Sequence, residues 1–388
     1  MFARPSTVKM MKEKVALIGS GNWYRCSDVS VDDRGQSEWP QQSRSSFIPA
    51  RLGCIEMCNR GSVIAKICGR NTSVYPEFAD EVRMWVFEEM IEGQRLSEII
   101  NTRHENVKYL PNVPLPRNIV AYPDLHKAVE DATLLVFVIP HQFVKGVCRE
   151  LQGNIRPDAR AISLIKGVDV ASSGLHLISD MIRENLSIDV SVLMGANIAS
   201  EVAKEQFCEA TVGSRRISDG QIWKKLFATS YFHLSVVDDV AGVELCGALK
   251  NVVAIAAGLV DGLKFGENTK AAIIRIGLME MKKFAKMFYH GVKDETFFES
   301  CGVADVITTC FGGRNRLVAE ARVTSGKSFA ALEQEMLNGQ KLQGTLTSYE
   351  VHQILKIKNL VQEFPLFTAV YRICYEDAPP KSIVEMYL

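Results

Sequence analysis

The 388-residue chain has no net charge, because 45 lysines and arginines balance 45 aspartates and glutamates. That balance gives no support for a nucleic-acid-binding surface, and any anion site has to be local. The ten cysteines include no C-x-x-C pair, so they read as reduced thiols of a cytoplasmic protein rather than a disulfide framework. Cys26, Cys54 and Cys58 fall in one segment, but poor spacing and the lack of a nearby histidine argue against a metal site. No metal is expected. Long apolar runs are also missing: the longest apolar helical candidate, residues 252–260, is far below the ~20 residues of a membrane span, and no membrane association is expected. Residues 1–14 are basic without an apolar core, which excludes a secretory signal and leaves a mitochondrial one as the alternative to a cytoplasmic location. What remains, at 47% hydrophobic and 23% charged residues, is an ordinary soluble chain long enough for two domains.

Short β-branched runs alternate with helical stretches in the first half. Strands are predicted at residues 15–18, 82–87, 119–121, 134–139, 161–165, 190–194, 210–212 and 232–236. Helices are predicted at 61–69, 96–103, 125–131, 143–152 and 175–185. The unbroken apolar run at 134–139, closed by Pro140, is that of a parallel strand buried on both faces. From residue 239 the pattern becomes helical: 243–259, 269–289, a stretch ending near Cys310, then 317–325, 329–337, 348–359 and 365–375. The expected class is α/β, with a Rossmann-like doubly wound sheet domain over residues 1–238 and an all-helical domain over 239–388, to which the candidate residues below give a substrate and catalytic role.

The first strand runs into Gly19-Ser20-Gly21-Asn22-Trp23, the start of a glycine turn, but the third glycine of a G-x-G-x-x-G pattern comes only at Gly61. Removing residues 24–60 restores G-S-G-N-W-G-S-V-I-A-K-I. In such a pattern the first glycine makes the turn, the second lets backbone approach a pyrophosphate, and the third permits close helix–strand packing at a helix N-terminus that faces the anion. Residues 24–60 are polar and aperiodic and read as a solvated disordered loop. Glu88 and Glu89, at the end of the next predicted strand, are either ribose-binding acids that favour NAD over NADP or solvated charges.

Other candidates sit at strand ends or interrupt helices. Lys166 follows a buried strand, either as an anion contact or as a solvated loop lysine. Asn197 follows another, either as a ligand contact or as a turn residue. His141 is either an acid–base or a structural residue. Lys250-Asn251 breaks the apolar helix Leu245-Cys246-Gly247-Ala248-Leu249-Lys250-Asn251-Val252. Burying a lysine is costly unless it is paired or its pKa falls, and a lowered lysine can transfer protons near neutral pH. The alternative is a lysine snorkelling to the surface. Asp305 is a candidate partner for it. Thr309 and the run Gly312-Gly313-Arg314-Asn315-Arg316 make a candidate phosphate clamp, and residues 339–344 read as either a lid or a surface turn.

Taken together, Gly19-Ser20-Gly21-Asn22-Trp23, Pro140-His141-Gln142-Phe143, Ser163-Leu164-Ile165-Lys166-Gly167, Met194-Gly195-Ala196-Asn197, Cys246-Gly247-Ala248-Leu249-Lys250-Asn251 and Gly312-Gly313-Arg314-Asn315 closely resemble animal cytosolic NAD-dependent glycerol-3-phosphate dehydrogenase. The resemblance covers residues 14–23 and 61 to about 376. It implies reversible hydride transfer between NADH and dihydroxyacetone phosphate, giving sn-glycerol 3-phosphate, in a cytoplasmic homodimer. By that resemblance Lys250 is the acid–base and Asp305 orients it. Lys166, Asn197, Asn251, Thr309, Arg314 and Asn315 meet substrate. Gly19, Ser20, Gly21, Asn22, Trp23, Gly61, Phe87, Phe143, Ala199, Arg314, Lys341 and Gln343 belong to the cofactor site. Three stretches depart from the family: residues 1–11, residues 381–388, and residues 24–60. The last reads as an unremoved non-coding segment, an unusual splice form, or a natural loop compatible with catalysis. An impaired or inactive paralogue that binds metabolites or partners is the alternative function. A hydroxy-acid or sugar-acid dehydrogenase of the same architecture fits the lysine and arginine runs less well.

Overall fold

The computed structural model describes residues 12–20, 60–171, 174–337 and 339–385. Gly21, Asn22, Trp23, the three clustered cysteines, residues 1–11 and the expected loop over 24–60, apart from Arg60, lie outside the described residues.

Eight strands form one sheet: β1 (Glu13–Ile18), β2 (Phe78–Trp85), β3 (Ile119–Tyr122), β4 (Leu134–Phe137), β5 (Arg160–Ser163), β6 (Asp189–Met194), β7 (Cys208–Gly213) and β8 (Phe232–Val237). Their order is β8-β7-β6-β5-β4-β1-β2-β3. Neighbours pair in parallel except β6 and β7, which are antiparallel. Successive residues of β1 point to opposite faces, and each face has its own core. Val15 and Leu17 pack with Val63, Ile67, Trp223 and Phe227, while Ala16 and Ile18 pack with Leu125, Val144 and Ile182. Those side chains come from α1 (Arg60–Val74), α3 (Leu125–Val129), α4 (His141–Leu151), α5 (Ile178–Leu186) and α7 (Ile217–Phe227); α2 (Leu96–Arg103) and α6 (Ala199–Ala203) complete the set. Helices on both faces explain why the strands are apolar runs rather than alternating ones.

The chain reverses between β1 and β4, so the C-terminal ends of β1, β4, β5 and β6 open on one crevice, the usual ligand edge of such sheets. The sequence reading of 175–185 as helix is corrected at its start: Gly174–Leu177 pairs with Val168–Ala171 as a small antiparallel hairpin, and the helix begins at Ile178.

Beyond β8 come α8 (Val240–Gly262), α9 (Glu267–Phe288), α10 (Asp305–Gly312), α11 (Arg314–Ser325), α12 (Phe329–Leu337), α13 (Gln343–Ile357), α14 (Pro365–Tyr375) and α15 (Ser382–Glu385). Asp239 starts α8 by accepting from Gly242 N at 2.7 Å, and it also takes Lys293 N at 2.9 Å and Thr296 Oγ1 at 2.6 Å. The expectation that no helix approaches membrane-spanning length is corrected: α8 is long and apolar enough by length and composition. Residues 242–260 are nevertheless buried without interruption, enclosed by α9, α10, α11 and α13. It is the axis of the helical half, and each large apolar side chain it buries is worth about 1.5–3 kcal/mol.

Two core carboxyls make stability depend on pH. Glu244 on α8 accepts from the N–H and hydroxyl of Ser179 at the start of α5, and Glu280 on α9 accepts from Leu366 N and Phe367 N at the start of α14. Burial pushes both up to about 7 against these hydrogen bonds. A raised carboxyl stabilises the fold fully below its unfolded value, and that contribution is lost as pH rises through about 7. For one such group the loss is about 3 kcal/mol. Thermal unfolding of the parent is expected to become easier from about pH 5 to about pH 8, with a visibly shallower slope in Glu244→Gln. Identical slopes in parent and variant would rule out a neutral Glu244 in the folded protein.

Candidate active site

The described glycines of the pattern, Gly19 and Gly61, meet across the interruption. Gly19 follows β1 with φ +116°, where a Cβ would stand 2.6 Å from Val138 O. A Cβ on Gly61, in the first turn of α1, would stand 2.4 Å from Gly19 O. The two glycines are therefore in direct backbone contact. Ser62 Oγ donates to Ser20 O at 2.6 Å. Asn106 Nδ2 donates to Ser62 Oγ at 2.9 Å and Ser20 O at 3.3 Å, and Asn106 Oδ1 takes Tyr109 N at 3.1 Å. Asn106 is fully buried and carries no sequence signature, yet it locks the turn. These contacts place the start of α1, whose first N–H groups have no intrahelical partner, against the residues that follow β1.

At the end of β2 the acidic pair is not left bare. The strand stops at Trp85. Glu88 accepts from Ser97 N at 3.1 Å and from the Ser97 hydroxyl, capping the start of α2, and Glu89 is held by Lys108 and the Tyr109 hydroxyl. Both are half-buried and partnered rather than solvated charges. Phe87 just before them is 44% exposed.

The centre lies where the sheet edge meets α8 and α10. Lys250 and Asp305 are 5% and 2% exposed, and the Lys250 ammonium donates to Asp305 Oδ1 and to Thr309 Oγ1 at 2.7 Å. Thr309 Oγ1 in turn donates to Asp305 O at 2.6 Å. The lysine does not snorkel. From the loop after β5, Lys166 Nζ reaches Asp305 Oδ2 at 2.9 Å and Gly195 O at 3.2 Å. One carboxylate therefore holds two ammonium groups from opposite halves of the protein. Burial pushes the Asp305 carboxyl up, but Lys166 and Lys250 outweigh it and hold it below the usual carboxylate range. Burial drives Lys166 well below the usual lysine range; Asp305 opposes that shift, and Lys250 and Arg60 add to it. Just before Asp305, Ser300–Ala304 forms a turn of π-helix. Ser300 Oγ there donates to Glu209 O at 2.8 Å and takes Ala196 N at 3.3 Å, tying Asp305's turn to the loop that carries Asn197.

Beside this centre, Asn315 Nδ2 donates to Asn251 Oδ1 at 3.1 Å, and Asn315 Oδ1 takes Gly344 N at 2.8 Å. Arg314 opens α11 and donates to Gln340 Oε1 at 2.7 Å. Lys341 pairs with Glu333 at 2.8 Å, which also takes Leu342 N at 3.0 Å. Ala199 opens α6, while Phe143 and His141 lie in the first turn of α4. The His141 ring lies 3.6 Å from where a Cβ on Gly167 would be.

The residues fit a dinucleotide and a phosphorylated substrate. The cradle at Gly19 and Gly61 has no room for a Cβ. Asn197 Oδ1 and Gln343 Nε2 are among the buried polar atoms with no hydrogen-bond partner among the described residues, and a ligand or water would satisfy them. Sequence reasoning missed Asn106, Ser300 and Arg60. It counted Arg60 with the inserted segment, whereas Arg60 is the first residue of α1 and its Nη1 donates to Leu164 O at 3.0 Å.

Comparison with known proteins identifies the family. Residues 55–219 match the family described as NAD-dependent glycerol-3-phosphate dehydrogenase N-terminus, and residues 239–385 match its C-terminus. The glycerol-3-phosphate dehydrogenase 1-like protein of Danio rerio is 59% identical over 338 residues, 87% of this chain and 96% of that protein. The cytoplasmic NAD(+) glycerol-3-phosphate dehydrogenase of Bos taurus is 59% identical over 322 residues, 83% of this chain and 92% of that protein. A solved structure of glycerol-3-phosphate dehydrogenase from Saccharomyces cerevisiae has a TM-score of 0.84 and 45% identity, covering 97% of this chain and 99% of that one. With both halves matched and relatives of this identity spanning nearly their whole length, the chain belongs to the NAD-dependent glycerol-3-phosphate dehydrogenase family of oxidoreductases.

Proposed function

We propose that this chain reversibly reduces dihydroxyacetone phosphate to sn-glycerol 3-phosphate with NADH, in the cytoplasm and as a homodimer. The observation that carries the reading is the buried Lys250–Asp305 pair at the sheet's ligand edge, with Thr309 as its third member. A bound NADH would supply the hydride that C2 of the ketone receives. Lys250 Nζ gives its proton to the C2 oxygen in reduction and takes it back in oxidation. Asp305 and Thr309 fix the direction of that ammonium, so no reorientation is needed as charge develops on the oxygen. Lys166, on the other oxygen of Asp305, stabilises the same developing charge. Asn251, Asn315 and Arg314 bind the phosphate end of the substrate, where helix α11 also presents its N-terminus. Gly19, Ser20 and Gly61 would hold the dinucleotide, with Ala199, Phe143, Phe87, Lys341 and Gln343 along its path.

The test is loss of NADH absorbance with dihydroxyacetone phosphate, using the purified full chain, followed by identification of glycerol 3-phosphate as product. Steady turnover is expected. Tight NADH binding with no turnover on this substrate would overturn the reading and leave a metabolite-binding protein. The backbone contact of Gly61 with Gly19, made despite the inserted segment, argues against that alternative.

A further inference from the structure

Arg60 has no place in the reaction as just described, yet it stands at its edge. It opens α1, lines the same crevice as Asn197, Ala199 and Leu164, and donates to Leu164 O two residues before Lys166. Its charge is felt by Lys166, and Asp305 and Arg314 act on it in turn.

The electrostatics here are unbalanced. Among the described residues both oxygens of Asp305 are taken by Lys166 and Lys250, and the charges of Asp305 and Arg314 reach Arg60 as well. Among the described residues Arg60 has a carbonyl acceptor and no carboxylate within ion-pairing distance. It also sits at a helix N-terminus, the positive end of the helix dipole, where a cation is unfavourable. Burial is the main cause that lowers its pKa; Asp305 opposes the shift and Arg314 adds to it, so this is a desolvated guanidinium with no carboxylate paired to it among the described residues. A guanidinium in that position is stabilised when an anion with several acceptor oxygens arrives, because its planar fork binds phosphate through two parallel hydrogen bonds.

We infer that Arg60 is a phosphate-binding residue of this site, contributed by the residue that ends the inserted segment and directed at a phosphate group of the bound ligands. The inference rests on the proposed function. Two phosphate groups qualify: the pyrophosphate of the dinucleotide at the start of α1, and the phosphate ester of the substrate beside Asp305 and Arg314.

Arg60→Gln and Arg60→Lys in the full chain separate these sources. NADH affinity is read without substrate, by fluorescence titration, and dihydroxyacetone phosphate by its KM at saturating NADH. If Arg60 meets the pyrophosphate, Arg60→Gln weakens NADH about tenfold, a loss matching one charge-assisted hydrogen bond. If it meets the substrate phosphate, KM rises by a similar factor and NADH affinity holds. In either case Arg60→Lys falls in between, and raising salt weakens the parent more than the Gln variant. Unchanged values for both ligands make Arg60 a structural tie to Leu164 and overturn the inference; tighter binding in Arg60→Gln makes it an obstruction and does the same. Should the Gln variant fail to fold, Arg60→Lys decides alone, since it keeps the charge and loses the fork: parent-like affinities for both ligands overturn the inference. A parent chain that binds neither ligand overturns the proposed function, and the inference with it.

Discussion

Replacing Lys250 with alanine is expected to lower kcat about a thousandfold or more, while NADH binds within a few-fold of the parent affinity. The separation follows from where Lys250 sits. Among the described residues its ammonium hydrogen-bonds Asp305 and Thr309, both in the helical half, whereas the contact of Gly19 with Gly61 is held by β1, α1 and Asn106 in the sheet half. Removing one member of a buried ion pair normally costs several kcal/mol, because the partner is left charged and alone. Here Asp305 retains Lys166 at 2.9 Å, so the variant is expected to fold, losing the packing of the lysine stem rather than the whole ion pair. Thr309 retains Asp305 O at 2.6 Å. The kinetic signature should be a fall in kcat and kcat/KM together, as for an interaction made only as the C2 oxygen gains charge. Near-parent kcat in Lys250→Ala would shift the proton-transfer role to another group, with Lys166, already driven below the usual lysine range by burial, as the first to test.

Much of this centre is legible in the sequence because it violates local expectation. A Lys-Asn pair inside an otherwise apolar helix demands a partner, and that demand singles out Lys250 without knowledge of the fold. The strands are legible for the opposite reason: residues 134–137 are apolar throughout because both sheet faces are covered. Direction is not written in such a run, so the reversal at β7 shows only in the sheet itself. Polar residues that work through tertiary contacts leave no periodic mark. Asn106 bonds Ser20 and Ser62, 86 and 44 residues away, and Ser300 bonds Ala196 and Glu209, 104 and 91 residues away; neither lies in a motif. Glu88 and Glu89 look like free acids only until Ser97, Lys108 and Tyr109 are brought beside them. Arg60 escaped because a cut drawn at the third glycine assigned it to the inserted segment, while the helix begins one residue earlier.

The second large effect is expected from a single methyl group. Gly61→Ala should weaken NADH binding about tenfold or more and destabilise the fold by about 1–3 kcal/mol, the usual cost of overpacking a site that cannot relax. The new Cβ would lie 2.4 Å from Gly19 O and 3.0 Å from Ser20 C, both backbone atoms. No rotamer change relieves such a contact, so either α1 or the turn must move. Movement breaks the bond from Ser62 to Ser20, which spans 42 residues of chain, and the two bonds from Asn106 that reinforce it. These contacts also hold the long connection closed. Lengthening a loop from a few residues to about forty costs only roughly 2 kcal/mol in closure entropy, which a close glycine contact and a buried hydrogen-bond cluster can offset, but with little to spare once the contact is strained. The same substitution at Gly266, with φ −73° and no atom within 4 Å of its Cβ position, is the control and should leave NADH affinity and stability at parent values. Parent-like NADH binding in Gly61→Ala would mean that the dinucleotide does not depend on this turn, and that the two parts of the glycine pattern, although in contact, do not form its binding site.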